Sequence, residues 1–289
     1  MGIFTIKEKV IDLRQTREYG KYLVGRGWIV KGVGIKNDKR KKVLVSIRRL
    51  PLLPFSVMKC QRFDEALDVQ DLKNLKRKYW VIFSIWEPKS EEAKRFCIEQ
   101  NWKLTKSFYV PSKTLVVDLG RDKERLFMDL SKDVRQELKK KDRLKITKIK
   151  LATSIEFKNF WKEWGKSGKG YVPRFRDLGL LKKNFGNRIW ILGAKFEGKW
   201  VAGTVILLSE EVAYYFFAWT NKTGREVGAQ YKLVWKGILL AKKAGLRWWD
   251  FEGIDDGRFP KKSWRGFSLF KKKFGGEEVA YPGCYVKWF

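Results

Sequence analysis

The sequence predicts a mixed α/β protein that contains two related units. At 289 residues the chain is longer than a typical single domain. Hydrophobic residues make up 44% of it, which is enough to build packed cores. One order of elements, a hairpin followed by a strand, a helix and a strand, occurs twice along the chain. We therefore expect two domains, residues 1–148 and 149–289.

The first unit begins with a hairpin in residues 28–50, where two apolar-rich strands flank a polar turn at Asn37-Asp38. The elements expected after it are a strand over 79–86, a helix from about Ser90 to Gln100 and a strand over 102–110. Ser90 is a favourable N-cap residue, and acidic residues occupy the first turn after it.

The second unit repeats this order with different residues. Its hairpin lies in residues 189–209, with the turn at Glu197-Gly198. The elements expected after it are a strand over 212–219, a helix from about Ala229 to Ala244 and a strand over 246–253. Gly245 has the place of the C′ residue that commonly ends a helix.

Between the units, apolar residues recur every four positions, which is typical of a helix: Leu126, Leu130, Val134 and Leu138. Cations recur at three- and four-residue steps and would share another face of this helix: Lys132, Arg135, Lys139 and Arg143. Like charges on successive turns repel one another unless an anion meets them. The pattern favours a face that contacts phosphates; a solvated helix face is the alternative.

The charge of the chain indicates the class of its partner. Lys and Arg number 64 against 32 Asp and Glu, which gives a net charge of +32, and histidine is absent. Lys-rich surfaces of heat-adapted proteins usually carry nearly as many acidic residues. The excess therefore favours RNA, DNA, an anionic membrane face or a phosphorylated substrate. The lack of histidine excludes Ser-His-Asp triads and histidine metal sites.

The cysteines Cys60, Cys97 and Cys284 lie far apart and form no CxxC pair. The sequence therefore predicts neither a zinc site nor a disulfide framework. No apolar run approaches about 18 residues, and the N-terminal stretch lacks an apolar h-region. We expect a soluble, cytoplasmic protein.

Residues 224–230, GREVGAQ, connect a predicted strand to a predicted helix. Arg225-x-x-Gly228 opens this helix, whose free N–H groups would suit an anion. GNAT acyltransferases use an [R/Q]-x-x-G-x-[G/A] loop here to hold the pyrophosphate of coenzyme A. In this chain Gln230 has the last position, where the backbone should approach closely, so the match is weak and an ordinary loop is the alternative.

Four stretches, which follow one another along nearly the whole chain, resemble the FemABX family. EYGKYLVGRGW (18–28) is similar to the family's W-G-x-L-K-x-x-x-G-W opening. Residues 110–141 resemble its P-x-x-T, strand and R-x-x-[I/L]-K-K pattern, with Pro111, Thr114, Asp118, Leu119, Arg135, Leu138, Lys139 and Lys140. KAGLRWWDFEGI resembles a segment with aromatic-Asp-Phe and Gly-Ile, here Asp250, Phe251, Gly253 and Ile254. GFSLFKKKFGGEEVAYPG resembles the closing motif G-x-x-x-F-K-x-x-F-G-G-E.

The resemblance implies two tandem GNAT-like domains, with the extreme C-terminus returning to pack on the first. It implies an aminoacyltransferase that moves an amino acid from aminoacyl-tRNA to an amine of a peptidoglycan precursor stem peptide. Aminoacyl-tRNA would be the co-substrate, and no cofactor is expected. The expected partners are aminoacyl-tRNA, a nucleotide- or lipid-linked precursor and, peripherally, the anionic inner membrane face; the protein is expected to be a monomer. The long helical-hairpin arm of some members is not expected, because no long heptad segment occurs.

Lys271, in the closing motif, is the first candidate for a catalytic residue. As a partly exposed cation on a strand, it would point at the tRNA acceptor end or at the oxyanion, held at a fixed depth by Phe270. Gly275-Gly276 would then let the chain turn away. Without the resemblance, this stretch would instead be a strand whose lysines face water.

Further substrate-binding residues follow from the resemblance. Arg176, or else Arg174, would contact the phosphates of the precursor; a solvated loop is the alternative. The opening motif has Leu23 where a basic residue is common in the family, so the precursor would instead contact Lys21, Arg26 or Lys31.

Asp250 would contact the acceptor amine or cap the next turn. The residues expected to contact tRNA are Lys132, Arg135, Lys139, Arg143 and Arg225. Two other functions stay open: an acyl-CoA-dependent N-acyltransferase of GNAT type, against which Gln230 argues, and an RNA-binding protein without catalysis, for which the net charge would suffice. No metal site is expected.

Overall fold

The computed structural model describes residues 10–140, 143–149, 155–167 and 171–289. The elements of the first part are α1 (Arg17–Gly25), β1 (Ile29–Gly34), β2 (Lys42–Arg49), β3 (Ser56–Gln61), α2 (Val69–Tyr79), β4 (Val81–Glu87), α3 (Glu91–Glu99), β5 (Lys103–Thr105), β6 (Lys113–Asp118), α4 (Lys123–Met128), α5 (Lys132–Lys139) and β7 (Lys145–Lys148). Those of the second part are α6 (Ile155–Lys166), α7 (Phe175–Phe185), β8 (Ile189–Phe196), β9 (Lys199–Leu208), β10 (Val212–Thr220), α8 (Lys222–Glu226), α9 (Ala229–Lys243), β11 (Trp248–Gly253), α10 (Arg265–Lys272), β12 (Glu277–Ala280) and β13 (Cys284–Trp288).

The described strands form two mixed sheets. One has six strands in the order β1-β2-β3-β4-β13-β5, and the other has seven in the order β12-β6-β11-β10-β9-β8-β7. The chain correspondingly divides into two compact units. Unit 1 comprises the residues up to Lys113 together with 255–261 and 279–289, and unit 2 comprises 114–254 together with 262–278.

Both predicted hairpins are confirmed. β1 and β2 pair antiparallel across the loop that contains Asn37 and Asp38. β8 and β9 pair antiparallel across a turn at Glu197 and Gly198, both of which have positive φ, as the tight turn of a two-residue hairpin requires. The N-cap at Ser90 is also confirmed, because its hydroxyl accepts a hydrogen bond from the N–H of Ala93.

In unit 1, the core lies between one face of the sheet and helices α2 and α3. The apolar residues of the strands alternate with polar ones, so that one face is buried: Val45, Ile47, Met58, Cys60 and Trp86. Leu72 of α2 and Phe96 of α3 pack on this face.

In unit 2, the sheet packs against α4, α5 and α9. The predicted stripe of the linker helix is part of this core: Leu126, Leu130 and Val134 are buried, and Leu138 packs against them. The helix itself is broken into α4 and α5, with the break at residues 129–131.

The repeated β-α-β unit differs from the one expected. In unit 2, β10, α9 and β11 form a parallel pair with its crossover helix, as predicted. The equivalent in unit 1 is β3-α2-β4, whose strands are parallel. The expected unit, β4-α3-β5, is not a neighbouring pair because β13 lies between the two strands. The strand expected over 102–110 is also short, since β5 covers only Lys103–Thr105.

The units exchange strands along the sequence, and the chain therefore does not divide at residue 148. β6 pairs antiparallel with β11 and belongs to the second sheet, although it precedes the linker helices. β13 pairs with β4 and β5 in the first sheet. Among the described helices, α9 is the longest at 15 residues, so the described part contains no long helical arm.

Candidate functional site

The two parallel strands of unit 2 separate before they end. β10 and β11 stop pairing at Tyr214 and Asp250, although β10 continues to Thr220 and β11 to Gly253. The end of β11 is irregular where it pairs with β6, and Glu252 there has a left-handed φ of 59°. Because of this irregularity, the last residues of β11 do not pair with β10.

Lys271 is fixed at this end of β11. Its side chain is buried, with 9% of the residue accessible, and Nζ donates a hydrogen bond to the carbonyl of Gly253 at 2.6 Å. Nζ also lies 4.8 Å from the ring centroid of Phe267. Burial lowers the pKa of Lys271 to about 8, and the carboxylates of Glu252 and Asp250 oppose this shift only in part.

The closing motif forms a helix, so the prediction of a strand with a partly exposed Lys271 is wrong. Phe267, Phe270, Lys271 and Phe274 follow one another at steps of three, one and three, which place them on one face of α10 and its last turn. On this face Lys271 and Phe274 are buried and Phe270 is half-buried, whereas Phe267, at the start of the helix, is exposed. Burial of Lys271 follows from its place within an aromatic helical stripe.

Phe270 and Phe274 pack inside unit 2. The ring of Phe270 lies 5.0 Å from Tyr231 and 5.4 Å from Phe274, and Phe274 lies 5.4 Å from Phe251. Phe270 therefore anchors α10 and sets the position of the next residue, Lys271.

The neighbouring lysines have ion-pair partners on the surface. Lys272 contacts Glu278 at 2.5 Å, and Lys273 pairs with Asp133 at the start of α5. Gly275 and Gly276 form the predicted turn, with φ of 74° and 93°. A Cβ atom on Gly276 would lie 2.5 Å from the carbonyl oxygen of Val116, so only glycine fits there.

Asp250 is part of the local hydrogen-bond network. Its carboxylate accepts from the hydroxyl of Thr114 on β6 and, at 2.6 Å, from the N–H of Glu252. The same hydroxyl contacts the carbonyl of Glu252 at 2.6 Å. Asp250 thus holds the irregular end of β11.

The N-terminus of α9 is covered by the chain's own side chains. Gly228 caps it with a φ of 60°, and a Cβ atom there would lie 2.4 Å from Oε1 of Glu137. The carboxylate of Glu137 therefore lies where an anion would meet this helix end. Gln230, in the first turn, donates to the buried hydroxyl of Tyr215 at 2.5 Å.

The cations predicted to contact tRNA do not form one continuous face. Lys132 and Lys139 are exposed on α5. Arg135 instead donates to the carbonyls of Met128 and Leu130 at 2.6 and 2.9 Å, which satisfies the end of α4. Its side chain thus has an intramolecular role that the charge pattern did not indicate.

Arg143 and Arg225 lie outside α5. The helix ends at Lys139, and Arg143 is exposed, 3.9 Å from Glu197 of the β8–β9 hairpin. Arg225 is exposed in α8 and donates to the carbonyl of Thr220 at 3.1 Å. Arg174 and Arg176 are exposed at the start of α7.

A second basic cluster lies in unit 1, around Trp28. Nζ of Lys59 lies 4.5 Å and the guanidinium carbon of Arg48 lies 5.5 Å from its ring centroid. Burial lowers the pKa of Lys59 to about 8; the carboxylate of Glu87 opposes this shift, whereas the guanidinium groups of Arg14, Arg26 and Arg48 add to it. An anion among these cations would relieve their mutual repulsion.

Of the three cations proposed to replace the basic residue of the opening motif, only Arg26 belongs to this cluster. Lys31, on the edge strand β1, lies opposite Val45 and therefore on the core face of the sheet. Arg48 and Lys59 lie on the opposite face of the same sheet. Lys21 is exposed on α1. Sequence reasoning missed Lys59, although it is a lone cation within the apolar strand SVMKCQ.

Within the described ranges, no group of three or more Cys, Asp or Glu residues is arranged to hold a metal ion. Of the helices in that same part of the chain, none combines the length and the apolar character needed to cross a membrane.

Comparison with known proteins agrees with this architecture. The model of the FemAB family matches residues 194–287, which include β11 and Lys271. A crystal structure of FemX is similar with a TM-score of 0.79 at 12% identity, over 96% of this chain and 92% of that one. L-PGS from Bacillus licheniformis gives 0.59 at 14% identity, over 90% and 83%. A tandem GNAT protein from the clavulanic acid biosynthesis pathway gives 0.55 at 11% identity, over 92% and 87%.

No curated protein matches the chain significantly. The fold is nevertheless clear: the chain is a tandem GNAT-like α/β protein. The resemblance to the FemABX family, which the order of the sequence motifs indicated, is confirmed.

Proposed function

We propose that this protein transfers an amino acid from aminoacyl-tRNA to an amine on the stem peptide of a peptidoglycan precursor. The FemAB match and the similarity to FemX support this class of transferase. The observation that carries the proposal is Lys271, a buried ammonium group held in the closing motif where the two parallel strands of unit 2 separate. The proposed co-substrate implies a cytoplasmic protein.

The residues present suit this reaction. An aminoacyl ester is already activated, so the attacking amine needs orientation and a charge that stabilises the developing oxyanion. As the amide bond forms, the ester C–O bond breaks and the terminal ribose hydroxyl of the tRNA leaves. With a pKa of about 8, most Lys271 side chains are protonated at neutral pH and can supply that charge. No histidine and no covalent enzyme intermediate are required.

The surfaces of each unit suggest how the two substrates bind. In unit 1, Arg48 and Lys59 lie over the ring of Trp28, and Arg26 is close enough to Lys59 to affect its pKa; these three cations would contact the phosphates of the precursor. In unit 2, the exposed Lys132 and Lys139 of α5 would contact tRNA phosphates. Arg174 and Arg176 at the start of α7 remain candidates for the precursor.

The alternative, an acyl-CoA-dependent acyltransferase, is disfavoured by the N-terminus of α9. Glu137 places its carboxylate beside Gly228, where a pyrophosphate would have to bind, so that a phosphoryl group there would have to displace it. Gln230 further fills the first turn of the helix.

The test is a single-turnover assay with charged tRNA and precursor, in which the product is identified by mass spectrometry. Lys271→Ala should lower the rate by about a hundredfold or more, because it removes a preorganised charge at the oxyanion. Arginine at this position should restore little, since its planar group does not replace a compact ammonium.

Lys272→Ala and Lys273→Ala are the matched controls. Both remove the same charge from the same helix end, but their side chains form surface ion pairs, so their rates should stay near that of the wild type. Equal rates for all three alanine variants would contradict the proposal. Acyl transfer from acetyl-CoA, or binding of uncharged RNA without any transfer, would identify one of the two alternatives instead.

A further inference from the structure

One end of the sheet in unit 1 gathers four separate segments. β3 and β4 are parallel, with Ser56 level with Val81, so the β2–β3 loop and the end of α2 lie at the same end. β13 runs antiparallel to β4, which brings Trp288 level with Phe83. The α3–β5 connection also lies there. We define the sheet-end patch as residues 48–55, 76–80, 98–104 and 287–289.

Large apolar side chains are exposed on this patch. Leu52 and Leu53 form the tip of the β2–β3 loop, and Leu52 is fully exposed. Trp80 and Trp288 are 60% and 71% accessible. A cluster of exposed apolar groups on one end of a unit is uncommon unless something covers it.

Two of these side chains belong to residues with a backbone conformation that favours glycine, and one of the two, Trp80, is the C-cap residue of α2. Leu52 and Trp80 both have left-handed φ values, 60° and 51°, which non-glycine residues seldom adopt. Pro51 and Pro54 flank the leucines and restrict the loop further. The chain thus keeps apolar groups exposed at a conformational cost, which is a pattern of functional surfaces.

The patch is also strongly basic. Its seven cations are Arg48, Arg49, Lys76, Arg77, Lys78, Lys103 and Lys287, whereas Glu99 is its one acidic side chain. Two of the cations lie over the aromatic ring of Phe289: Nζ of Lys76 at 4.1 Å and Nζ of Lys287 at 5.5 Å. Cations therefore surround the apolar groups on several sides.

We propose that the sheet-end patch binds the surface of an anionic lipid bilayer. Tryptophan side chains and flanking cations prefer the headgroup region, and leucines at a rigid loop tip can enter the acyl boundary. The cations supply attraction to anionic headgroups, which falls with salt. A nucleic acid would use the cations and the tryptophans, but it offers no apolar phase to the leucine tip. The proposal concerns a surface of unit 1 and does not depend on the transfer reaction.

The experiment measures co-sedimentation of the full chain with vesicles. We expect partitioning onto mixed phosphatidylglycerol–phosphatidylcholine vesicles and none onto pure phosphatidylcholine. The double variant Leu52→Ser/Leu53→Ser should lower the partition coefficient by about tenfold or more, because two leucines no longer enter the bilayer. Arg77→Ser/Lys78→Ser should lower it by a similar factor at low salt and by little at high salt.

Matched controls come from exposed residues of unit 2. Met128→Ser/Leu269→Ser removes two exposed apolar groups, and Lys236→Ser/Lys243→Ser removes two exposed cations of α9; both should partition as the wild type does. Thermal melts establish that each variant is folded, and the charge variant tests the patch independently of the leucine loop. The proposal is overturned if anionic vesicles do not bind the wild type, or if the leucine variant partitions normally. It is equally overturned if that variant loses only tRNA binding or self-association.

Discussion

Lys271 illustrates how a helix position changes the chemistry of a side chain. On a strand with water on one side, its amine would keep an ordinary pKa. On α10, directly after Phe270, the side chain is buried in unit 2, where burial lowers its pKa to about 8 and the carbonyl of Gly253 accepts its hydrogen bond. A charge placed in this way is pre-oriented, and its burial makes the folded protein less stable than a neutral side chain would.

This cost leads to a stability prediction for Lys271→Met. Below pH 8 the wild type carries a buried charge whose pKa is about 8 in the folded chain and 10.5 in the unfolded chain. This pKa shift corresponds to a destabilisation of the folded wild type by roughly 3 kcal/mol. The variant loses the hydrogen bond to Gly253, which offsets about 1 kcal/mol of its gain in stability. We therefore expect the variant to be more stable than the wild type at pH 7 by about 1 to 2 kcal/mol.

The sign of the pH dependence follows from the protons bound. Between pH 8 and 10.5 the unfolded chain holds a proton on this lysine that the folded chain has released, so wild-type stability rises relative to the variant. Urea unfolding at pH 7 and at about pH 10 measures both differences. A wild type that is the more stable protein at pH 7, with a gap independent of pH, would mean that Lys271 is not a buried charge.

At the scale of the element, the sequence contains the pattern that identifies α10 as a helix, whereas it indicates the extent and contacts of α5 only in part. The spacing of Phe267, Phe270 and Phe274 is that of a helical face, and the three consecutive lysines obscured it. The apolar stripe of the linker correctly predicted buried helix faces. The break after Met128 and the bond of Arg135 to the end of α4 had no signal in the charge pattern, because both depend on how two short helices meet.

The α5 surface gives a prediction on tRNA binding. Lys132→Ser/Lys139→Ser removes two exposed cations and should reduce the slope of log K against log salt by about two, one for each lost phosphate contact. Titrations of labelled charged tRNA at several salt concentrations provide the slope.

Arg135→Ser is the informative comparison. Its guanidinium is bound to α4 carbonyls, so its loss should cost about 1 kcal/mol of stability and change the slope little. An unchanged slope in the double lysine variant would mean that α5 is merely solvated. A slope that responds to Arg135 instead would place the phosphates on the other side of the helix.

At the scale of the whole molecule, the sequence predicted two related α/β units but not how the chain is divided between them. Hairpins and helices leave local signals, namely turn residues, caps and periodicity. Two pairings join segments that lie more than a hundred residues apart in the sequence: β13 lies between β4 and β5, and β6 lies beside β11. Such long-range pairings leave no local signal in the sequence. The candidate site was found through its motif, whereas the Trp28 cluster needed the sheet register to bring Arg48 and Lys59 together.

The exchange of strands predicts that unit 1 cannot fold from its N-terminal segment alone. Without β13, residues 10–113 keep the pairing of β4 with β3 but leave the other edge of β4 unpaired and β5 without a neighbouring strand, and the buried ring of Tyr285 is lost from the core. This fragment should lack a cooperative thermal transition by circular dichroism. The same fragment joined through a flexible linker to residues 279–289 should regain one, because the added strand restores both ladders. In the full chain, Tyr285→Ala should cost about 3 to 5 kcal/mol, as large-to-small changes at buried aromatic residues do. If the fragment 10–113 melts cooperatively by itself, the sheet of unit 1 is stable without β13. The division of the chain into two interleaved units would then describe its contacts but not its folding.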